Sequence, residues 1–188
     1  MPIVPGRPSD QRLQAMAVAA RDLPFTYAEV GGTRAGPPQG YRLDRRAVDL
    51  GAVGVFDRAV AGLLRWEAQR GSGARIFPAD ALAVAEQTIV VALSLPLVTM
   101  VAPCRVVYVT DEPDRRGFAY GTLEGHPVQG EESFHVVRAG NRVRFEVMAF
   151  SRPHHPLARL GSPVAHAVQA VMARRYLRAL TTAVDGSP

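Results

Sequence analysis

The chain has 188 residues, 47% of them hydrophobic and 21% charged, with a formal net charge of +5. That length and mix suit one soluble globular domain, burying roughly 70% of the surface its unfolded chain exposes. A single cysteine, Cys104, excludes an intramolecular disulfide and a cysteine-based zinc cage, and the apolar runs at 88–101 and 106–109 are broken by Pro96 or strand-sized, short of the roughly 20 residues of a membrane span.

Taken in order, residues 1–8 hold three prolines and read as a flexible lead-in to a single domain over 9–183, with 184–188 as a tail. Ser9 is placed to cap a helix over 10–21 that carries Leu13, Met16 and Ala20 on one face. The apolar run at 16–20, flanked by Arg12 and Arg21, is too short for a secretion signal, so the chain is expected in the cytoplasm. Pro24 stops that helix. Residues 25–30 read as a short extended segment ended by Gly31-Gly32, and residues 34–40 as a turn-rich connector. Residues 41–50 alternate without a clean apolar face, which predicts an edge strand or one crossed by arginine stems. Val55, Phe56, Ala59, Val60, Leu63, Leu64 and Trp66 then form a helical stripe, broken at Gly71-Ser72-Gly73. A short helix or turn is expected over 78–83.

From residue 85 the period becomes two. Strands are predicted at 88–95, 98–109, 116–123, 132–138 and 142–150, joined by turns at Pro96, Glu112-Pro113-Asp114, Gly125-His126-Pro127 and Ala139-Gly140-Asn141. Such short connections imply an antiparallel meander. After Pro153 and Pro156 the pattern turns helical. Leu157, Leu160, Val164, Val168, Val171, Met172, Tyr176 and Leu180 share a stripe, and the helix either starts at Gly161-Ser162-Pro163 or is kinked there. A sheet with one apolar face needs a cover, and this helix is the only element large enough. The prediction is an α+β helix-grip (START-like) fold, a curved antiparallel sheet wrapped around a long C-terminal helix with a cavity between them.

Several segments carry a resemblance to a known family. They are FTYAEVG at 25–31, APCRVVYV at 102–109, GFAYGTL at 117–123 with Gly125-His126-Pro127 and Gly130-Glu131-Glu132, then Phe150-Ser151-Arg152-Pro153 and Arg174-Arg175-Tyr176-Leu177. In that order they resemble a bacterial and plant family known only as a domain of unknown function, grouped with the START-like proteins. The resemblance runs from about residue 9 onward, with nothing recognisable at 71–88. It implies the fold but no substrate, cofactor or catalytic residue.

Strand parity sorts the polar residues. Phe134 and Val136 carry Glu132 to the inner face, leaving Glu131, Ser133 and His135 outside. An inward carboxylate must be paired or neutralised. Glu132 is therefore either paired with an inward arginine near a sheet end, or a cavity carboxyl of raised pKa. His126 is a turn residue bonded to backbone or a histidine at a cavity mouth. Tyr27 and Glu29 could close over the same opening or belong to an edge strand, and Tyr108 and Tyr120 line the cavity or pack the core. Arg152 and Arg105 could each hold a carboxylate or phosphate, or bind backbone carbonyls at the sheet end. Cys104 reads as a small buried hydrophobe. His154-His155 lacks further ligands at metal spacing, so no metal or other cofactor is expected. No nucleophile elbow, phosphate loop or dinucleotide fingerprint occurs.

The leading expectation is a module that binds a small lipophilic or amphipathic ligand, anionic if Arg105 and Arg152 face it. An enzyme of cyclase or hydrolase type, using Glu132 or His126 with Arg152 holding substrate, is the alternative. A third reading, a nucleic-acid or protein-interaction surface, would use arginines such as Arg174, Arg175 and Arg178. All 22 basic residues are arginine, which reads as the codon bias of a GC-rich genome. Their scatter argues against nucleic acid. The oligomeric state is not legible.

Overall fold

The computed structural model describes residues 3–126, 128–153 and 162–186. The chain runs β1 (Ile3–Pro5), α1 (Asp10–Ala19), α2 (Gly32–Ala35), β2 (Arg42–Ala52), α3 (Phe56–Leu64), α4 (Glu67–Gly71), β3 (Ala74–Phe77), β4 (Thr88–Ser94), β5 (Val98–Glu112), β6 (Arg115–Thr122), β7 (Val128–Ala139), β8 (Arg142–Pro153) and α5 (Ser162–Asp185). The strands form one antiparallel sheet in the order β2-β8-β7-β6-β5-β4-β3, with β1 pairing onto the start of β5. From β3 onward each strand neighbours the next in sequence, as short turns require, and β2 closes the edge against β8. The long α5 lies across the inner face, which is the helix-grip arrangement.

Alternation explains the core. Phe118 of β6, Phe134 and Val136 of β7, and Val143 and Phe145 of β8 point to one face. They meet Phe56 and Leu63 of α3, Trp66 of the turn after it, and Tyr176 and Leu180 of α5. The Tyr176 ring stands edge-on to Phe134 with centroids 5.6 Å apart. Each such buried side chain contributes about 1.5–3 kcal/mol. A smaller cluster on the other face packs Leu13 and Ala17 of α1 against Phe77, Val90, Ala92 and Val101, with Val4 of β1.

Several expectations are corrected. The lead-in is not wholly loose, because Ile3–Pro5 pairs with Val98–Met100 and Val4 is buried. Residues 25–30 form no strand; only Phe25 bridges to Leu123, and the segment then arches over the outer face into α2. There the Gly31 and Thr33 amides reach the Glu131 carboxylate, and Gly32 sits so close to the Phe150 ring that a Cβ would overlap it. The four-residue β3 gave too short a pattern to detect. Conversely, β7 starts at Val128 rather than 132, running through Gly130 at φ 146. One bulge, between Val106 and Tyr108, places Tyr108 on the outer face with Arg105, and a second interrupts β2 between Asp49 and Gly51. His154, His155, Pro156, Leu157, Leu160, Gly161 and Pro127 lie outside the described residues, as do the side chains of Val164, His166 and Val168.

At Gly130 a side chain would run into the Phe150 carbonyl oxygen on the neighbouring strand. Gly130→Ala should therefore destabilise the protein by about 2–4 kcal/mol, read as a fall in the midpoint of chemical denaturation.

Candidate functional site

The inner face carries a polar pair amid the aromatic core. Register sets Glu132 of β7 opposite Ala149 of β8 and Tyr120 of β6. The Tyr120 hydroxyl donates to Glu132 Oε2 at 2.7 Å, and the Tyr176 hydroxyl of α5 interacts with that of Tyr120. Trp66 packs beside them, its ring 6.1 Å from that of Tyr120. Burial pushes the Glu132 carboxyl up to about 7, aided by the negative charge of Asp44 and opposed by the Tyr120 bond. Part of the Glu132 surface nevertheless remains accessible. Burial likewise raises the Tyr120 and Tyr176 hydroxyls and the Cys104 thiol, which also feel Glu132.

An inward arginine does exist, but it is committed elsewhere. Asp44 and Arg46 occupy the inner side of β2, opposite Ala149 and Val147, and pair with each other at 3.0 Å. Among the described residues no cation pairs with Glu132. The sequence reading missed this edge pair, although carboxylate and guanidinium two residues apart on a strand share a face.

The adjacent Glu131 does the opposite job. On the outer face it accepts bonds from the Tyr27 hydroxyl at 2.8 Å, the Gly31 amide at 2.7 Å, the Thr33 amide at 2.9 Å and the Thr33 hydroxyl. These donors come from the arch of residues 25–35, so one carboxylate fastens that arch to the sheet. Although read as outward, Glu131 is buried, along with Ser133 and His135. His135 stacks on Tyr108 and lies 3.2 Å from the Thr110 hydroxyl. Burial, with Arg115 and Arg34 nearby, lowers its pKa to about 3.

The other candidates also lie away from Glu132. Tyr27 is locked to Glu131, and Tyr108 bonds Thr33 Oγ1 at 2.8 Å under the Arg34 guanidinium. Arg105 donates to the carbonyls of Arg21 and Leu23 at 2.5 and 3.0 Å and to Thr88 Oγ1 at 3.1 Å, closing the chain after α1. Arg152 donates to Gln129 at 2.6 Å and covers the Tyr41 ring, whose hydroxyl bonds Glu29 at 2.7 Å. Both arginines are on the outer face, away from Glu132 and with local partners. The His126 Nδ1 lies 3.1 Å from the Val128 amide, the backbone contact of a turn residue. Of the seven expected site residues, only Tyr120 and Glu132 meet at the inner pair. Arg174, Arg175 and Arg178 lie exposed along α5. Among the described residues no helix is long and apolar enough to cross a membrane.

Comparison with known proteins agrees with this architecture. The sequence profile of a family described as "Domain of unknown function (DUF1990)" matches residues 26–179. The chain belongs to the DUF1990 family. A UPF0548 protein of Deinococcus radiodurans is 50% identical over 80 residues, 42% of this chain and 40% of the relative. One from Arabidopsis thaliana is 37% identical over 92 residues, 45% of each. These matches span less than half the length of either relative. Among solved structures, a hypothetical protein from Helicobacter pylori superposes with a TM-score of 0.59 at 11% identity, covering 85% of this chain and 95% of that one. Ara h 8.0201 superposes at 0.52 and 9%, covering 79% and 100%. At these identities the DUF1990 chain shares the helix-grip fold with them.

Two outcomes follow from the carboxylates. Glu131→Ala should cost about 2–4 kcal/mol and speed hydrogen exchange at the Gly31 and Thr33 amides. For Glu132 the folded pKa stands above its ordinary value of 4.5, so the folded state keeps a proton that the unfolded state releases. Stability from this group therefore falls as pH rises from about 4.5 to 7, by up to about 3 kcal/mol. His135 titrates with the opposite sign below about 6.5, so the difference between wild type and Glu132→Gln isolates Glu132. That difference, from urea denaturation at pH 4.5 and 7.5, should move in favour of the glutamine variant as pH rises.

Proposed function

We propose that this protein binds a small amphipathic molecule between the inner face of the sheet and α5, with Glu132 and Tyr120 as its polar anchor. One observation carries the reading. Glu132 is deep enough for burial to lift its carboxyl to about 7, yet part of it stays reachable and no cation neutralises it among the described residues. A carboxyl kept in such a place suits the wall of a ligand cavity, where a few polar groups orient a mainly apolar molecule. The aromatic surroundings of Trp66, Phe134 and Tyr176 favour a lipophilic body. The carboxyl favours a hydroxyl or amine at its polar end over an anion.

The same pair supports a second reading. A carboxyl titrating near neutrality beside a tyrosine hydroxyl is equipped to give and take a proton. As an enzyme of cyclase or hydrolase type, the protein would use Glu132 as acid and base.

Native mass spectrometry of protein purified from its own host should reveal a retained small molecule. Titrations with Nile red and with dansylcadaverine add the test at the residue. Glu132→Gln should leave Nile red affinity within about twofold and weaken the amine probe about tenfold or more, the loss expected of one charge-assisted hydrogen bond. No retained molecule and no saturable binding of either probe would sink the binding reading. Loss of turnover in Glu132→Gln, once a substrate is found among retained molecules, would favour the enzyme.

A further inference from the structure

The outer face holds a second polar cluster in which Glu132 plays no part. Beside the arch of residues 25–35, a groove of about 400 Å³ is lined by Ser133 and His135 of β7, Arg45 of β2, Met148 and Glu146 of β8, and Arg115 of β6.

Hydrogen-bond directions define what this groove presents. Arg34 Nη2 donates to the Thr110 hydroxyl oxygen at 3.2 Å. The same hydroxyl lies 3.2 Å from His135 Nε2. Nδ1 is the other polar atom of the ring. Among the described residues Nδ1 has no partner, and it is not one of the buried polar atoms cut off from solvent. Arg45 is exposed and donates from Nε to the Met148 thioether at 3.2 Å, a weak acceptor. Among the described residues no carboxylate pairs with it. Arg115 gives one arm to Glu146 at 3.0 Å. Ser133 donates to the Met148 carbonyl at 3.4 Å and its side chain also bonds that of Tyr108. Apart from Glu146, already engaged by Arg115, the charged side chains lining the groove are arginines.

We propose that this groove is a binding site for the phosphate or carboxylate group of a small soluble molecule, held by Arg45 and Arg115 over the His135 ring. The planar guanidinium of Arg45 supplies the fork that grips two oxygens, and the imidazole fixes the orientation from the floor. The site stands on the face of the sheet opposite the Glu132 pair, so the two could be occupied independently.

The test titrates phenyl phosphate and benzoate into ¹⁵N-labelled protein, following the His135 ring and the Arg45 side chain by NMR. Phosphatidate vesicles form a separate arm. Saturable shifts at both residues are expected with at least one soluble probe. Arg45→Gln, at an exposed position that should not affect folding, should weaken that binding about tenfold or more. Glu132→Gln should leave it within about twofold, because it alters only the opposite face. Absent shifts, affinity unchanged in Arg45→Gln, affinity lost in Glu132→Gln, or binding to vesicles alone would each overturn the proposal.

Discussion

Two neighbouring residues on a β-strand must point to opposite faces of the sheet, and in this protein both are carboxylates. What Glu131 and Glu132 each meet accounts for most of what is unusual here. Glu131 finds an arch of chain that brings four donors to it, and the arch stays in place because the charge is satisfied. Glu132 finds aromatic rings and a single tyrosine hydroxyl, and its response is to hold its proton. The same residue type thus becomes a fastener on one side and a titrating group on the other. The difference lies in the number of donors within reach.

That division of labour shapes the molecule on a larger scale. The inner face is devoted to α3, α5 and the aromatic core, so any ligand there must share space with packed rings. The outer face is covered in two places, by α1 near β4 and by the arch near β7. Between the arch and the β2 edge it stays open enough for a groove. The outer surface is thus polar, partly buried and chemically organised as well.

The sequence made the inner side legible because alternation is a strict rule wherever one face is apolar. Phe134 and Val136 carry Glu132 inward with no other information, and the stripe through Met172, Tyr176 and Leu180 identifies the covering helix. The outer side was harder to read. Nothing in residues 25–30 distinguishes a strand from an arch, because the decision rests on Gly31 and Thr33 amides reaching a carboxylate about 100 positions away in the chain. Arg105 and Arg152 stayed undecided between a ligand and sheet-end carbonyls because their actual partners, carbonyls at Arg21 and Leu23 and the side chain of Gln129, leave no local signal. His126, by contrast, bonds two residues ahead, a contact that turn chemistry anticipates.

The bulge in β5 has a further meaning for this division. In the ladder with β6, Val106 faces Tyr120 and Tyr108 faces Ala119, which leaves Val107 as a surplus residue. The strand works like a calendar with one intercalated day: dates before and after it fall on the proper side only because the extra day is absorbed in one place. Were Val107 counted as an ordinary residue, Tyr108 and Thr110 would be turned into the aromatic core, and His135 would lose both its stacking ring and its hydroxyl partner. A single backbone irregularity thus keeps the two chemistries of the sheet on separate sides.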